Sequence, residues 1–83
     1  MKHYLIMCRS VTGAQRAARL LERALIRAAV IKAPSRLTRS GCAYALRLYA
    51  KPEEAVRILR KNELPFGKIY ISDDGTDYRE ATF

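Results

Sequence analysis

The residues of this chain best suited to chemistry lie in one stretch, Pro34 to Arg47. A polar, basic, hydroxyl-bearing loop ends in one cysteine, Cys42, at the lip of an apolar run. Arg36 and Arg39 precede it by six and three residues. Ser40-Gly41 lets the backbone turn tightly just before the thiol, because glycine reaches conformations that other residues avoid. Positive charge around a thiol favours the thiolate, which is the nucleophilic form. The pattern marks Cys42 as a candidate reactive thiol, with Arg36, Arg39, Ser40 and Gly41 as its binding rim. A cysteine that merely opens a buried strand as a small apolar residue gives the same pattern.

The elements that must position this loop follow from periodicity. His3 to Cys8 is a short run, apolar on both faces, and predicts a strand that is either central in a covered sheet or has one face awaiting a partner. Ser10 or Thr12 can cap the helix that follows. Ala14, Ala17, Leu20, Leu21, Ala24, Leu25 and Ala28 recur at steps of three and four and predict a helix to about residue 28. Arg16, Arg19, Arg23 and Arg27 form a basic ridge on another face. Val30 to Ala33 predicts a strand closed by Pro34, and Ala43 to Tyr49 a third strand, with Tyr44, Leu46 and Leu48 toward the core and Arg47 toward solvent or a partner. Pro52, Glu53 and Glu54 suit a helix start, and Arg57, Arg60 and Lys61 suit its end. Gly67 to Ile71 predicts the last strand, and Asp73-Asp74-Gly75 a turn. The remaining residues lack a pattern, with Tyr78 and Phe83 as candidate anchors.

This order, strand-helix-strand-strand-helix-strand, predicts an α+β fold: a ferredoxin-like βαββαβ sandwich with a four-stranded antiparallel sheet and two helices on one face. Strands one and three are expected to lie centrally and run parallel. That orientation puts Cys8 and Cys42 on the order of 20 Å apart, too far for a bridge, and brings His3, the only histidine, beside Cys42. Cys42, Arg36, Arg39, Ser40 and His3 would then form a thiol corner presented to water, in which a neighbouring imidazolium or guanidinium lowers the thiol's pKa.

The same loop resembles the small selenium/sulfur carrier-like family, in which a hydroxyl-rich loop ends in a cysteine and enters an apolar strand. The matching residues are Pro34, Ser35, Arg36, Ser40, Cys42 and Ala45-Leu46-Arg47, and Tyr4-Leu5-Ile6 with Ser10-Val11-Thr12 match the first strand and helix start. Ala43 stands where the family pattern leads one to expect glycine. The resemblance covers about residues 3 to 71. It implies a carrier or accessory role in selenium or sulfur handling, with Cys42 as the attachment point and donor and acceptor proteins as partners.

Composition bounds the alternatives. Eighty-three residues make one domain, here residues 1–71 with an acidic C-terminal tail at 72–83. The net charge of +8 is uneven: residues 1–71 hold 15 Lys/Arg against 4 Asp/Glu, whereas residues 72–83 hold Arg79 against four acids. The body should attract anions and the tail can fold back on it. Nucleic-acid binding is one alternative, through Arg47 and Tyr49 on an open sheet face, although the glycine-aromatic signature of RNA-binding sheets is absent. A homodimer or interaction module is another, through the open face carrying Leu5, Met7 and Ala45. No run is long enough to span a membrane, and a cytoplasmic location with two free thiols is expected. One histidine and two cysteines without ligand spacing predict no zinc site. No cofactor is expected, since there is no phosphate-binding glycine loop. A hydrolase is equally unexpected, because no Ser/His/carboxylate set is available.

Overall fold

Ser10 starts the first helix by accepting a hydrogen bond from the Gly13 amide on its Oγ, at 3.0 Å. The computed structural model describes residues 2–83, the side chains of Arg39 and Ser40 excepted. The chain runs β1 (His3–Cys8), α1 (Val11–Arg23), β2 (Ala29–Lys32), a 3-10 turn (Ser35–Ser40), β3 (Tyr44–Leu48), α2 (Pro52–Lys61), β4 (Ile69–Ser72) and β5 (Arg79–Ala81). Pro52 occupies the first turn of α2, with Glu53 and Glu54 at its positive end and Arg60 and Lys61 at its negative end.

The fold is α+β, with two helices and one antiparallel sheet of five strands in the order β2-β3-β1-β4-β5. The expected count of four is corrected by β5, which pairs with β4 through Ile69↔Ala81, Tyr70↔Glu80 and Ile71↔Arg79. The expected parallel pairing of strands one and three is also corrected. A helical crossover returns the chain in its original direction, so β2 runs with β1. The β2–β3 hairpin then reverses it, so β3 must oppose β1, and the register Tyr4↔Leu48 to Cys8↔Tyr44 is antiparallel.

α1 ends at Arg23, five residues short of the periodicity. The Leu25 amide donates to Glu22 O and the Ile26 amide to Leu21 O, both at 2.9 Å, with Leu25 left-handed at φ 62°. This is the Schellman closure, with Ile26 buried near Leu21 as its apolar contact. α2 closes identically, through Glu63 to Arg60 O and Leu64 to Leu59 O, with Glu63 at φ 57°.

Both helices lie on one sheet face. Ala14, Ala17, Leu21, Ala55, Val56 and Leu59 pack there with Ile6, Leu46, Leu48 and Ile69. Leu5, Met7 and Ala45 face the other way and are completely buried, under Leu37 of the 3-10 turn and Tyr78 of the β4–β5 loop. The expectation that these residues form an open face for dimerisation is therefore corrected: one chain covers both faces of β1. Full burial of an aliphatic side chain contributes roughly 1.5–3 kcal/mol, so Leu5, Ile6 and Met7 anchor the fold from both sides. Among the described residues, no helix is long and apolar enough to cross a membrane.

Candidate functional site

Cys42 sits under the cover of the second sheet face. The 3-10 turn reaches it through three backbone or hydroxyl bonds: Leu37 N to Pro34 O at 2.8 Å, Thr38 Oγ1 to Ser35 O at 2.8 Å and Gly41 N to Thr38 O at 3.0 Å. Gly41 ends the turn at φ 86°, the left-handed conformation that its lack of a Cβ permits. The thiol then packs with Leu5, Met7 and Ala45 and is 2% exposed. The expectation of a thiol held out to water is overturned. The residues between Gly41 and β3 leave the strand's alternation, so Cys42 turns away from the helix-side cluster that holds Tyr44, Leu46 and Leu48.

On one side the thiol meets bare backbone. A Cβ added at Gly67 would stand 2.9 Å from Cys42 Sγ, so glycine is what lets the thiol approach this strand. Gly67 N donates to Met7 O at 2.7 Å, and Met7 N to Lys68 O at 3.0 Å, extending the β1–β4 ladder past Ile69. The sequence marks Gly67 as a strand start, and a lone glycine beside apolar residues is also a signal of close backbone approach.

The cover is fastened at the surface. Arg36 donates to the Thr76 carbonyl and stands 3.8 Å from the Asp77 carboxylate, joining the 3-10 turn to the β4–β5 loop. Asp74 shapes that loop: its Oδ1 accepts from Thr76 N at 2.9 Å, from Asp77 N at 3.0 Å and from Ser72 Oγ at 3.3 Å. These bonds, the backbone ones foremost, hold its carboxyl well below the usual carboxylate range. Gly75 N donates to Ser72 Oγ at 2.8 Å, and Arg79 donates to Asp73 at 2.6 Å, which lowers the Asp73 pKa as well. Residues 72–83 thus hold a loop, a strand and ion pairs to the basic body, including Lys68–Glu80 at 3.4 Å.

The predicted corner separates into two ends of the sheet. His3 pairs with Ser72 in the register, and its Nε2 is hydrogen-bonded to the Tyr78 hydroxyl at 2.8 Å, edge-on to Tyr49. Because β3 opposes β1, that end is the far one from Cys42, and His3 is corrected from thiol neighbour to anchor of Tyr78. Arg36 is engaged by Thr76 and Asp77. The side chains of Arg39 and Ser40 lie outside the described residues.

The same reversal brings the two cysteines together, correcting the expected separation of about 20 Å. Cys8 is opposite Tyr44, two residues beyond Cys42, and is 3% exposed. Its thiol is pushed up to about 11, first by burial and then by its electrostatic interaction with the neighbouring Cys42. Cys8 also lines a cleft of about 380 Å³ with Arg9, Ser10, Gly13, Pro65 and Phe66.

Elsewhere, Arg16, Arg19 and Arg23 are exposed along α1. Tyr49 is 51% exposed with the Arg47 guanidinium 5.6 Å from its ring centroid.

No curated protein and no solved structure matches the chain. The model of the family described as "Putative Se/S carrier protein-like" matches residues 3–71, from the start of β1 through most of β4 and including the loop that delivers Cys42. The chain therefore belongs to the Se/S carrier protein-like family.

Proposed function

We propose that this protein carries a sulfur or selenium atom on Cys42 and hands it between a donor and an acceptor protein. The loading step transfers the terminal sulfur of a donor persulfide to the Cys42 thiolate. A bond forms from Cys42 Sγ to that sulfur, the donor's S–S bond breaks, and the donor sulfur leaves as a thiolate with the electron pair. The observation that carries the reading is the burial of Cys42 in a small cluster capped by two surface segments that Arg36 joins, with bare backbone at Gly67 beside the thiol. A bound persulfide is shielded from water and stray thiols while the cover is closed, and it is reached when the cover opens. In this reading residues 1–71 are the ferredoxin-like unit and residues 72–83 supply part of the cover. The exposed arginines of α1 are where acidic donors or acceptors dock. Two free thiols suit a reducing compartment such as the cytoplasm.

Cys8→Ala protein, in which Cys42 is the sole thiol, tests the reading. After incubation with inorganic polysulfide and removal of excess, intact mass under non-reducing conditions should show a gain of one sulfur atom that reductant removes. Cys8→Ala/Cys42→Ser protein should gain nothing. Equal gains in the two proteins, or none in the first, overturn the reading.

A further inference from the structure

β1 ends on Cys8, and β3 is entered two residues after Cys42, at the same end of the sheet. The two cysteines are close enough for charge on Cys42 to act on Cys8, and half-cystines bridge when their α-carbons come within about 7 Å. The two thiols start on opposite faces, Cys8 with the helix-side cluster and Cys42 with the other. Cys8 occupies the last rung, opposite Tyr44, and Cys42 lies two residues beyond that rung, where the sheet stops and a side chain can pass around its end. Gly67, bonded to Met7 O between them and the β4 side, places no side chain in that space.

We propose that Cys8 is the resolving thiol for the atom carried on Cys42, releasing it as hydrosulfide or hydroselenide. The inference rests on the carrier reading. Cys8 gives up its proton and its sulfur attacks Cys42 Sγ. An S–S bond forms between the two cysteines, and the bond from Cys42 Sγ to the carried atom breaks. The electron pair leaves with that atom, which takes the released proton. The Cys8 sulfur is oxidised by one electron, Cys42 Sγ keeps its oxidation state, and the carried atom is reduced by one, so no outside oxidant is consumed. A dithiol reductant would reopen the bridge for the next cycle. Since burial holds Cys8 mostly protonated at neutral pH, release is slow in the closed protein and speeds up as pH rises toward about 11.

The experiment loads wild type, Cys8→Ala, Cys8→Val and Cys42→Ser proteins with inorganic polysulfide. Each is then freed of excess donor and followed by intact mass and by sulfide released. Wild type should pass to a species lighter than the reduced protein by two hydrogens, with a Cys8–Cys42 bridge and one sulfide per chain. The two Cys8 variants should hold the extra sulfur at least about tenfold longer, because their Cys42 persulfide lacks an internal nucleophile. Cys42→Ser should gain no sulfur. Wild type that keeps the extra sulfur as long as the Cys8 variants overturns the inference while leaving the carrier reading intact. Extra sulfur accumulating on Cys8 instead of a bridge also overturns it. If no protein containing Cys42 gains sulfur, the carrier reading fails first and removes this inference with it.

Discussion

Arg36 and Asp77 meet 3.8 Å apart across the sheet face that holds Cys42, each one residue before a side chain, Leu37 or Tyr78, that packs on the buried cluster of Leu5, Met7, Cys42 and Ala45. Both partners are largely exposed, so the pair contributes well under about 1 kcal/mol to global stability. Its value is local, since it ties together two segments that share no ladder hydrogen bond.

Arg36→Ala should therefore loosen the cover without unfolding the domain. In a Cys8→Ala background, alkylation of Cys42 should run several-fold faster, while the free energy of unfolding measured with denaturant changes by less than about 0.5 kcal/mol. High salt should reproduce part of the acceleration by screening the ion pair. Alkylation at the unaltered rate would mean that the thiol is reached by some route the clasp does not control.

The β4–β5 half of the cover depends on one carboxylate. Asp74 accepts two backbone amides and a hydroxyl, and its pKa falls below that of an unfolded aspartate. A group depressed in this way supports the folded loop fully above the unfolded pKa of about 3.9, and that support is lost as pH falls through the lower folded value. The Thr76 and Asp77 amide resonances should hold their positions as ordinary carboxylates titrate and move only at more acidic pH. Asp74→Ala should shift both at neutral pH and raise the alkylation rate of Cys42. Amides that titrate together with exposed glutamates would show that the Asp74 bonds do not organise the loop.

Gly67 and Cys42 should be energetically coupled. Gly67→Ala places a methyl 2.9 Å from Cys42 Sγ, inside contact distance, with Met7 Cβ at 3.4 Å on the other side. Overpacking of this kind costs about 1–3 kcal/mol. Removing the sulfur should relieve it, so Gly67→Ala in a Cys42→Ala chain should cost at least about 1 kcal/mol less than in wild type. Denaturant unfolding of the four proteins in the cycle measures the difference. Additive losses would place the strain elsewhere along the strand.

The core was legible in the sequence, and the site only in outline. Alternation in Tyr44, Leu46 and Leu48 and the three-four spacing of Ala14, Ala17 and Leu21 are direct images of burial, and all six pack on the helix side. The direction of β3 was also implied by element order, once the crossover and the hairpin are counted as separate reversals, and it decides where His3 and Cys8 lie relative to Cys42. What residue types did not carry was the side on which Cys42 ends, because the left-handed turn at Gly41 redirects the chain just before it and the alternation of β3 does not extend to Cys42. β5 was hidden for another reason. Arg79-Glu80-Ala81 has no apolar rhythm, and it becomes a strand because the outer edge of β4 offers unpaired backbone groups, with Phe83 edge-on to Tyr4 to hold it.

The helix ends were obscured most of all, since Leu25 and Glu63 occupy positions where glycine is the usual residue. The apolar period continues through Ala24, Leu25 and Ala28, so α1 looks longer than it is, and only the left-handed turn at Leu25 stops it at Arg23. A side chain there costs roughly 1–2 kcal/mol against the Cβ–carbonyl contact, partly offset because glycine loses more chain entropy on folding. Leu25 is 88% exposed, so deleting its side chain forfeits little packing. Leu25→Gly and Glu63→Gly should each stabilise the domain by about 0.5–1 kcal/mol, and the double variant by nearly the sum, since each acts at its own helix terminus. Leu25→Val should do the reverse, because branching at Cβ worsens the same contact. Thermal unfolding of the four variants and wild type orders them directly. A Leu25→Gly protein no more stable than wild type would show that the exposed leucine compensates its strained backbone through contacts in the unfolded chain or at the surface.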